Sequence, residues 1–282
     1  MARSDLGTVA ALRWLVEAGA DEAIGETPVN RFRLAPERPP AQTLAAAPQP
    51  LRRSMPVTPP VTSRGPAPAA SQDHIGHALE LAAACTSLAE LKSALEAFEG
   101  CALKRHATRT VFADGTPAHR ILVIGEAPGK DEDAAGLPFV GRAGKLLDRM
   151  LAAIGLDRKT NVYIANVINW RPPGNRDPSP EEAAACLPFL RRHIELVAPE
   201  VMVLLGAVAV RHVMGRNEGI MRLRGNWLEY FAAGRMVPVM PTLHPAYLLR
   251  RPLEKRLAWR DLQSISGKVN ELRLLEPAAA PR

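Results

Sequence analysis

Short apolar segments alternate with longer amphipathic segments between residues 120 and 272. Four segments have the length and composition of buried strands: 120–124, 162–168, 201–205 and 236–240. Helical patterns lie between or after them: 143–154, 180–197, a stretch from about Ala207, and 253–272. Strands that alternate with helices favour a mostly parallel sheet covered on both faces. We therefore expect an α/β fold, a three-layer α/β/α sandwich around a central, mostly parallel four-stranded sheet.

The first quarter of the chain has a different composition. Residues 5–20 have a helical apolar pattern, and 11 of the 26 prolines fall within 28–68. Residues 75–98 have a helical pattern again. We expect an N-terminal amphipathic helix in residues 1–25, a disordered Pro/Ala-rich linker in 26–73, and the folded domain in 74–282. Whether the N-terminal helix binds a partner does not follow from the sequence.

Composition favours a soluble protein. Apolar residues make up 47% of the chain, no apolar run has the length of a membrane span, and the N-terminus lacks a signal-peptide pattern. We expect a monomer in the cytoplasm of a bacterial-type cell, without a membrane partner. Three scattered cysteines do not predict a disulfide framework.

Positive charge is concentrated near the C-terminal end. The net charge is +7, and residues 220–260 hold 8 Lys/Arg against 2 Asp/Glu, whereas residues 1–75 hold 8 against 7. A local basic patch suits a polyanion such as DNA, although a solvated surface explains the charge equally well.

Polar residues follow three of the predicted strands. In parallel sheets, ligands bind beyond the carboxyl ends of the strands, and Glu126, Asn166 and His244 each lie at or just past such an end. Glu126 could activate water or belong to a solvated acidic loop. Asn166 could read a base edge or cap a strand, and His244 could be catalytic or structural.

Two further segments suit DNA. Phe139 lies in a Gly- and Pro-rich turn, where its ring could stack on a base or act as a hydrophobic plug. In HPAYLLRRP, apolar residues flanked by arginines suit a wedge that enters a base stack while phosphates are held. The predicted DNA contacts are Arg171, Tyr247, Leu248, Leu249, Arg250 and Arg251.

These motifs together resemble the uracil-DNA glycosylase superfamily, most closely its family 4 branch. The resemblance runs from about Leu88 to Leu262 and rests on seven motifs in order. They are GEAPG (125–129), ED with GLPFVGRAG (132–144), VYIANV (162–167), RPPGNR (171–176), CLPFL (186–190), LRG (223–225) and HPAYLLR (244–250).

The resemblance implies a monofunctional enzyme that hydrolyses the N-glycosidic bond of uracil flipped out of DNA, the first step of base excision repair. Phe139 would stack on the uracil, Asn166 would read its edge, and His244 would stabilise the leaving base. Gly125, Ala127 and Glu132 would complete the base pocket, with Glu132 crowding it against thymine. Glu126 and Asn175 are the further catalytic candidates, and Glu126 would position water. Leu248 aligns with the wedge leucine.

One departure concerns the cofactor. Family 4 members bind an iron–sulfur cluster through four cysteines, and only Cys101 and Cys186 are retained here. Phe98 and Trp170 stand at the other two positions. Two thiolates do not hold such a cluster, so we expect no cofactor and no metal.

Other functions remain open. A damage-recognising DNA-binding protein without excision activity is the main alternative. A relative that traps its product covalently would need a basic, His-bearing insertion after GEAPG, which KDEDAAGLP (130–138) lacks. A free-nucleoside hydrolase would not need the Leu-Leu-Arg-Arg segment. The sequence does not rank uracil against other deaminated bases.

Overall fold

The computed structural model describes residues 72–275 of the 282-residue chain. The helix predicted in 1–25 and nearly all of the linker predicted in 26–73 lie outside the described residues. The first described helix begins at Gln72, two residues before the predicted start of the domain.

A six-stranded sheet forms the centre of the described residues. Its strands are β1 (Ala113–Gly115), β2 (Ile121–Gly125), β3 (Tyr163–Asn166), β4 (Val201–Leu205), β5 (Leu228–Ala232) and β6 (Arg235–Thr242). The order is β1-β3-β2-β4-β6-β5, and the four inner strands run parallel. These four are the predicted strands, and the α/β class is confirmed.

The prediction of only four strands is wrong, because an antiparallel strand is added at each edge. β1 is only three residues long and carries no apolar pattern. β5 is joined to β6 by Ala233 and Gly234, both at positive φ as in a tight hairpin turn. Its alternating exposure is typical of a strand at the edge of a sheet.

Nine α-helices and three 3-10 turns among residues 72–275 complete the sandwich. The α-helices are α1 (Gln72–Ala84), α2 (Leu88–Ala97), α3 (Lys130–Ala135), α4 (Arg142–Ala152), α5 (Pro180–Val197), α6 (Gly206–Met214), α7 (Ile220–Leu223), α8 (Pro245–Arg250) and α9 (Lys255–Glu271). The 3-10 turns are Ala102–Arg105, Pro173–Asn175 and Pro252–Glu254. One apolar cluster joins α1, α2, α5 and α6 to the sheet, and a second joins α4, α8 and α9 to its other face. The predicted three layers are confirmed.

Capping groups fix several helix boundaries. Ser179 and Glu182 form a capping box at the start of α5. The single helix predicted over 75–98 is wrong, because the chain breaks after Ala84 and restarts with Ser87 as the N-cap of α2. The Ser87 side chain accepts a hydrogen bond from the backbone N–H of Glu90.

The parallel strands bring the polar residues to one edge. β2 ends at Gly125, β3 at Asn166 and β6 at Thr242, two residues before His244. Since these strands run the same way, the segments that follow them meet at the carboxyl edge of the sheet. The candidate site is formed there.

Candidate active site

A cavity of about 490 Å³ opens at the carboxyl edge of the sheet. Nine of the predicted site residues line it: Glu126, Ala127, Glu132, Phe139, Asn166, Asn175, His244, Tyr247 and Arg250. The other predicted residues, Gly125, Arg171, Leu248, Leu249 and Arg251, are not in the lining. Residues from four different segments of the chain therefore share one cavity.

Asn166 supplies a polar atom without a partner. Its side chain is 2% exposed, and Oδ1 is a buried oxygen that accepts no hydrogen bond within the described part of the chain. Buried acceptors are normally satisfied, because leaving one unpaired costs about 1–3 kcal/mol. An unpaired acceptor in the wall of a cavity therefore indicates a place for a ligand that donates a hydrogen bond.

Gly125 explains how Asn166 and Phe139 approach each other. A side-chain Cβ at Gly125 would lie 2.4 Å from Cζ of Phe139 and 2.6 Å from Oδ1 of Asn166. Only glycine leaves this space, so the aromatic ring and the amide pack over the bare backbone at the end of β2. Gly125 thus shapes the cavity from below without lining it.

The turn that carries Phe139 is held in an unusual conformation. Phe139 has φ +54°, a left-handed backbone that costs a non-glycine residue about 1–2 kcal/mol. Arg158 donates to the carbonyl oxygens of Pro138, at 2.9 Å, and Phe139, at 2.8 Å. A Cβ at Gly144 would lie 1.8 Å from the same Phe139 oxygen, so α4 packs directly on the turn.

His244 is fixed as a neutral hydrogen-bond donor. Its Nδ1 accepts a 3.1 Å hydrogen bond from the backbone N–H of Ala246, which leaves the proton of the neutral ring on Nε2. Burial, with a smaller contribution from Arg250, lowers the pKa of His244 to about 4. Its ring centroid lies 5.6 Å from that of Phe139. Gly206, with φ +89°, allows the close approach of the His244 Cβ.

Glu126 has an environment that favours the protonated carboxyl. Burial and then the negative charge of Asp177 raise its pKa, and Arg211 opposes part of this increase. A carboxyl group with a raised pKa at a cavity wall is suited to proton transfer, because its carboxylate is a stronger base than an ordinary one. Asp177 was not among the predicted residues, although it also lines the cavity.

Asn175 lies at the mouth of the cavity. It is exposed, has φ +55°, and its Oδ1 accepts a 2.7 Å hydrogen bond from Nε of Arg171. Arg171 therefore holds Asn175 through its amide oxygen, and the amide nitrogen of Asn175 is the part that remains for a ligand.

Glu132 is occupied with the backbone. Its carboxylate accepts hydrogen bonds from the N–H groups of Gly129, Val140 and Gly141, at 3.1, 3.0 and 2.9 Å. These bonds join the GEAPG turn to the turn that carries Phe139. Glu132 lines the cavity, but its charge is used to connect two loops.

The predicted wedge residue does not lie at the surface. Leu248 is 1% exposed and packs in the core between α8, α4 and α9. In this structure α8 turns the Leu248 side chain inward, and its assignment as the residue that enters the base stack stays a prediction. Tyr247 and Leu249 are half-buried, and Arg250 and Arg251 are exposed.

The sequence did not predict a buried network at the end of β6, the strand that leads to His244. Asp261 in α9 is 1% exposed and accepts a 2.6 Å hydrogen bond from Oγ1 of Thr242, at the end of β6. Arg224 forms an ion pair with the same carboxylate and donates to the carbonyl oxygen of Leu257. The LRG motif supplied the signal for Arg224, but nothing in the sequence indicated that Asp261 is its partner.

The residues at the four cysteine positions do not fit a cluster. Phe98, Cys101 and Trp170 are 1% exposed and Cys186 is 0% exposed. The Phe98 ring lies 5.1 Å from that of Phe189, and Trp170 donates to Thr110 Oγ1 at 3.0 Å. A hydrogen bond with Cys101, together with burial, raises the pKa of Cys186. Two aromatic side chains with packed partners occupy positions where a cluster needs thiolates.

No helix among residues 72–275 has both the length and the apolar character needed to cross a membrane.

Comparison with known proteins identifies the family. The model of the Uracil DNA glycosylase superfamily matches residues 112–263, more than half of the chain. The Type-4 uracil-DNA glycosylase of Thermotoga maritima is 46% identical over 174 residues, which cover 61% of this chain and 88% of the relative. The Type-4 enzyme of Archaeoglobus fulgidus is 42% identical over 176 residues, covering 61% and 86%. A Type-5 uracil-DNA glycosylase of Pyrobaculum aerophilum is 33% identical over 109 residues, covering 34% and 48%. The resemblance to the family 4 branch is thereby confirmed, and the chain belongs to the uracil DNA glycosylase superfamily.

Proposed function

We propose that this protein is a monofunctional uracil-DNA glycosylase that holds a flipped-out uracil in the cavity at the carboxyl edge of the sheet. The observation that carries the proposal is the buried Oδ1 of Asn166, which has no hydrogen-bond partner among residues 72–275, in a wall shared with His244 and Phe139. Uracil presents an N3–H donor beside its O4 acceptor. An amide side chain can satisfy both atoms, and the base in turn satisfies the buried oxygen.

His244 stabilises the leaving base. The bond between C1′ of the sugar and N1 of uracil breaks with its electron pair staying on the base, so negative charge develops on the ring and its oxygens. The neutral His244 donates its Nε2 proton as a hydrogen bond to O2 of this anion. A donor fixed in place before the reaction stabilises developing charge without reorganisation.

Phe139 supplies the stacking surface. Its ring forms part of the cavity wall and is held by the Arg158 and Gly144 contacts. A ring fixed in this way stacks on a base of any sequence context, which suits an enzyme that selects one flipped nucleotide.

Water is positioned between Glu126 and Asn175. The oxygen of water bonds to C1′ and loses a proton, which Glu126 accepts as a carboxylate. The amide nitrogen of Asn175 orients the water, because Arg171 already holds the amide oxygen.

DNA is held by the exposed Arg250 and Arg251 at the end of α8 and by the basic segment that follows. Tyr247 and Leu249, the half-buried apolar side chains of α8, take the place of Leu248 at the surface that meets the base stack. Gly125 and Ala127 keep the floor of the cavity small, and Glu132 acts by fixing the two loops. The protein works as a monomer where cellular DNA is found, in the cytoplasm of a bacterial-type cell.

The enzyme works without an iron–sulfur cluster. Phe98 and Trp170 fill the space with ordinary packing, and Cys101 and Cys186 remain as thiols. An assay of purified protein for iron and acid-labile sulfide tests this point. Stoichiometric iron and sulfide would overturn it.

Excision of uracil from a labelled oligonucleotide tests the function, with free uracil measured directly and strand breaks measured after alkali. We expect Asn166→Ala and His244→Ala each to reduce excision by about 10²–10³-fold, the usual loss for one fixed donor. Asn217→Ala and His106→Ala are matched controls, since both side chains are exposed away from the cavity.

Three outcomes contradict the proposal. Full excision activity in both Asn166→Ala and His244→Ala contradicts the assignment of the cavity as the active site. Binding of uracil-containing DNA without release of uracil favours the damage-recognising binder instead. A protein–DNA adduct on a denaturing gel favours covalent trapping. A panel with hypoxanthine and xanthine measures whether other deaminated bases are accepted, which we expect at lower rates.

A further inference from the structure

A second groove lies on the other side of α8 from the candidate active site. Its volume is about 350 Å³, and it runs between α4 and α9. Leu146, Met150 and Leu262 form an apolar floor together with Leu248. Trp259 forms one wall and is 42% exposed, an unusual exposure for so large an apolar side chain. We call this surface the Trp259 groove.

The rims of the Trp259 groove are positively charged. Arg149 and Lys255 line it, and both side chains are exposed. Neither forms an ion pair with a carboxylate within residues 72–275. Arg256 and Arg260 follow on the same helix. An exposed indole between unpaired cations fits a nucleic-acid strand, because the ring stacks on a base and the cations hold phosphates.

The position of α8 connects the groove to the active site. Ala246, Tyr247 and Arg250 line the active-site cavity, whereas Leu248 of the same helix lines the Trp259 groove. The two sites are therefore separated by the width of one helix, about 10 Å. At about 3.4 Å per nucleotide of a stacked strand, about three nucleotides cover this distance.

We propose that the Trp259 groove binds an unpaired nucleotide of the same DNA strand, about three positions from the uracil, by stacking its base on Trp259 and its phosphates against Arg149 and Lys255. The inference rests on the proposed glycosylase function and adds a substrate preference to it. A paired base is already stacked in the duplex and does not reach an indole. The groove therefore favours uracil in single-stranded or locally melted DNA.

Steady-state excision by the full chain tests the groove. Substrates are a single-stranded 15-mer with a central uracil, the same 15-mer in duplex, and a trinucleotide with a central uracil. We expect Trp259→Ala to raise KM about 10-fold for the single-stranded 15-mer, the loss expected for one stacked base. We expect a much smaller change for the duplex and the trinucleotide. Trp259→Phe, which keeps a ring, should recover most of the affinity.

Phe231→Ala is the matched control, since Phe231 is an aromatic residue of 66% exposure at the edge strand β5. It should leave KM unchanged on all three substrates. A second readout does not depend on excision. Titration with a uracil-free 15-mer should change the tryptophan fluorescence of the wild type and not that of Trp259→Phe. Arg149→Ala with Lys255→Ala should reduce the slope of log affinity against log salt by about 0.7 for each lost phosphate contact.

The outcomes separate this inference from the proposed function. If the wild type releases no uracil but binds the 15-mer with a fluorescence change that depends on Trp259, the glycosylase function is contradicted and DNA binding by the groove is supported. Unchanged KM and salt slope in the variants, with normal excision, overturn the groove and leave the glycosylase standing. If Trp259→Ala raises KM equally for the duplex and the single-stranded 15-mer, the groove does not bind an unpaired nucleotide. A change of oligomeric state in Trp259→Ala shows that a second copy of the chain occupies the groove, which also overturns it.

Discussion

Oγ1 of Thr242 lies 2.6 Å from Oδ2 of Asp261, and this hydrogen bond joins the end of β6, two residues before His244, to the middle of α9. Burial raises the pKa of Asp261, while the hydrogen bond from Thr242 and the ion pair with Arg224 oppose that increase. The same carboxylate lies close to Gly225, where a Cβ would be 2.9 Å from Oδ1. Three segments distant in sequence thus meet at one buried charge.

Removing this charge should weaken both the fold and the site. In Asp261→Asn, Arg224 loses its partner, and breaking a buried pair costs about 3–5 kcal/mol of the free energy of unfolding. Thr242→Val removes only the hydrogen bond and should cost about 1 kcal/mol. In Thr242→Val we expect kcat for uracil release to fall about 10-fold with little change in KM, since His244 is displaced while the DNA contacts persist.

Urea unfolding and steady-state excision measure these effects, with the exposed Thr160→Val as control. Rescue by Thr242→Ser, which restores the hydroxyl, should return kcat toward the wild-type value. A Thr242→Val protein with wild-type kcat contradicts the link between Asp261 and His244.

Arg158 should be as important for excision as a residue that touches the base. It holds the Phe139 turn through two carbonyl oxygens and also pairs with Asp114 and Asp148. Without the guanidinium, the left-handed Phe139 has less to hold it, so the ring spends less time in the stacking position. We expect Arg158→Met to lower kcat/KM about 10–100-fold, and Arg158→Lys to rescue little because lysine lacks the planar fork. Arg216→Met, at an exposed pair with Glu218, is the control; a loss of the same size there would show a general effect.

The pH dependence of excision should follow Glu126 and not His244. The pKa of Glu126 is raised, so activity that needs its carboxylate declines as pH falls through a value above the usual one near 4.5. His244, with a pKa of about 4, takes up its proton at a lower pH than Glu126 does. We expect Glu126→Gln to remove the acid limb of kcat/KM, and His244→Ala to lower the whole profile without moving it. A limb near pH 6.5 that shifts in His244→Ala is the contrary result.

Stability should fall on mild acidification because two histidines, His193 and His244, have lowered pKa values in the folded state. His193 has its pKa lowered to about 3 by burial, stacks on Phe112, and hydrogen-bonds with Tyr163 at 3.1 Å. His193 and His244 stay neutral in the folded state, whereas in the unfolded chain they bind protons near pH 6.5. Their contribution to the free energy of unfolding is therefore complete above pH 6.5. It is lost progressively as the pH falls toward 4, the pKa of His244, and then 3, the pKa of His193.

Well below pH 6.5, each such histidine should contribute a slope approaching about 1.4 kcal/mol per pH unit to the free energy of unfolding. Urea unfolding from pH 7 to pH 5 measures this slope, which should decrease by one histidine in His193→Gln. His106→Gln, at an exposed position, should leave it unchanged. A slope unaltered by His193→Gln means that His193 is already protonated in the folded protein.

The apolar pattern of the chain predicts the parallel core of the sheet and the segments that meet at its carboxyl edge. Four apolar runs, each about one strand long, predict which strands are buried. Because parallel strands place the residues after them together, the chain alone predicts that Glu126, Asn166 and His244 lie close to one another. The edge strands β1 and β5 were missed, because a short or half-exposed strand carries little apolar signal and depends on its partner. The break at Ser87 was missed because the apolar spacing continues across it.

How each of these residues can act depends on contacts between segments that are distant in the sequence. Whether Leu248 faces DNA or the core depends on the rotation of α8 over α4, which apolar character does not reveal. Glu132 lines the cavity, but its carboxylate accepts hydrogen bonds from three backbone N–H groups, and no local pattern in the sequence indicates these partners. The neighbours of Asp261, Arg158 and Trp259 lie far away in the sequence. The role of each side chain therefore depends on which residues the fold places next to it. The local apolar pattern predicts whether a segment is buried. Hydrogen bonds and grooves form between segments, so that pattern does not predict them.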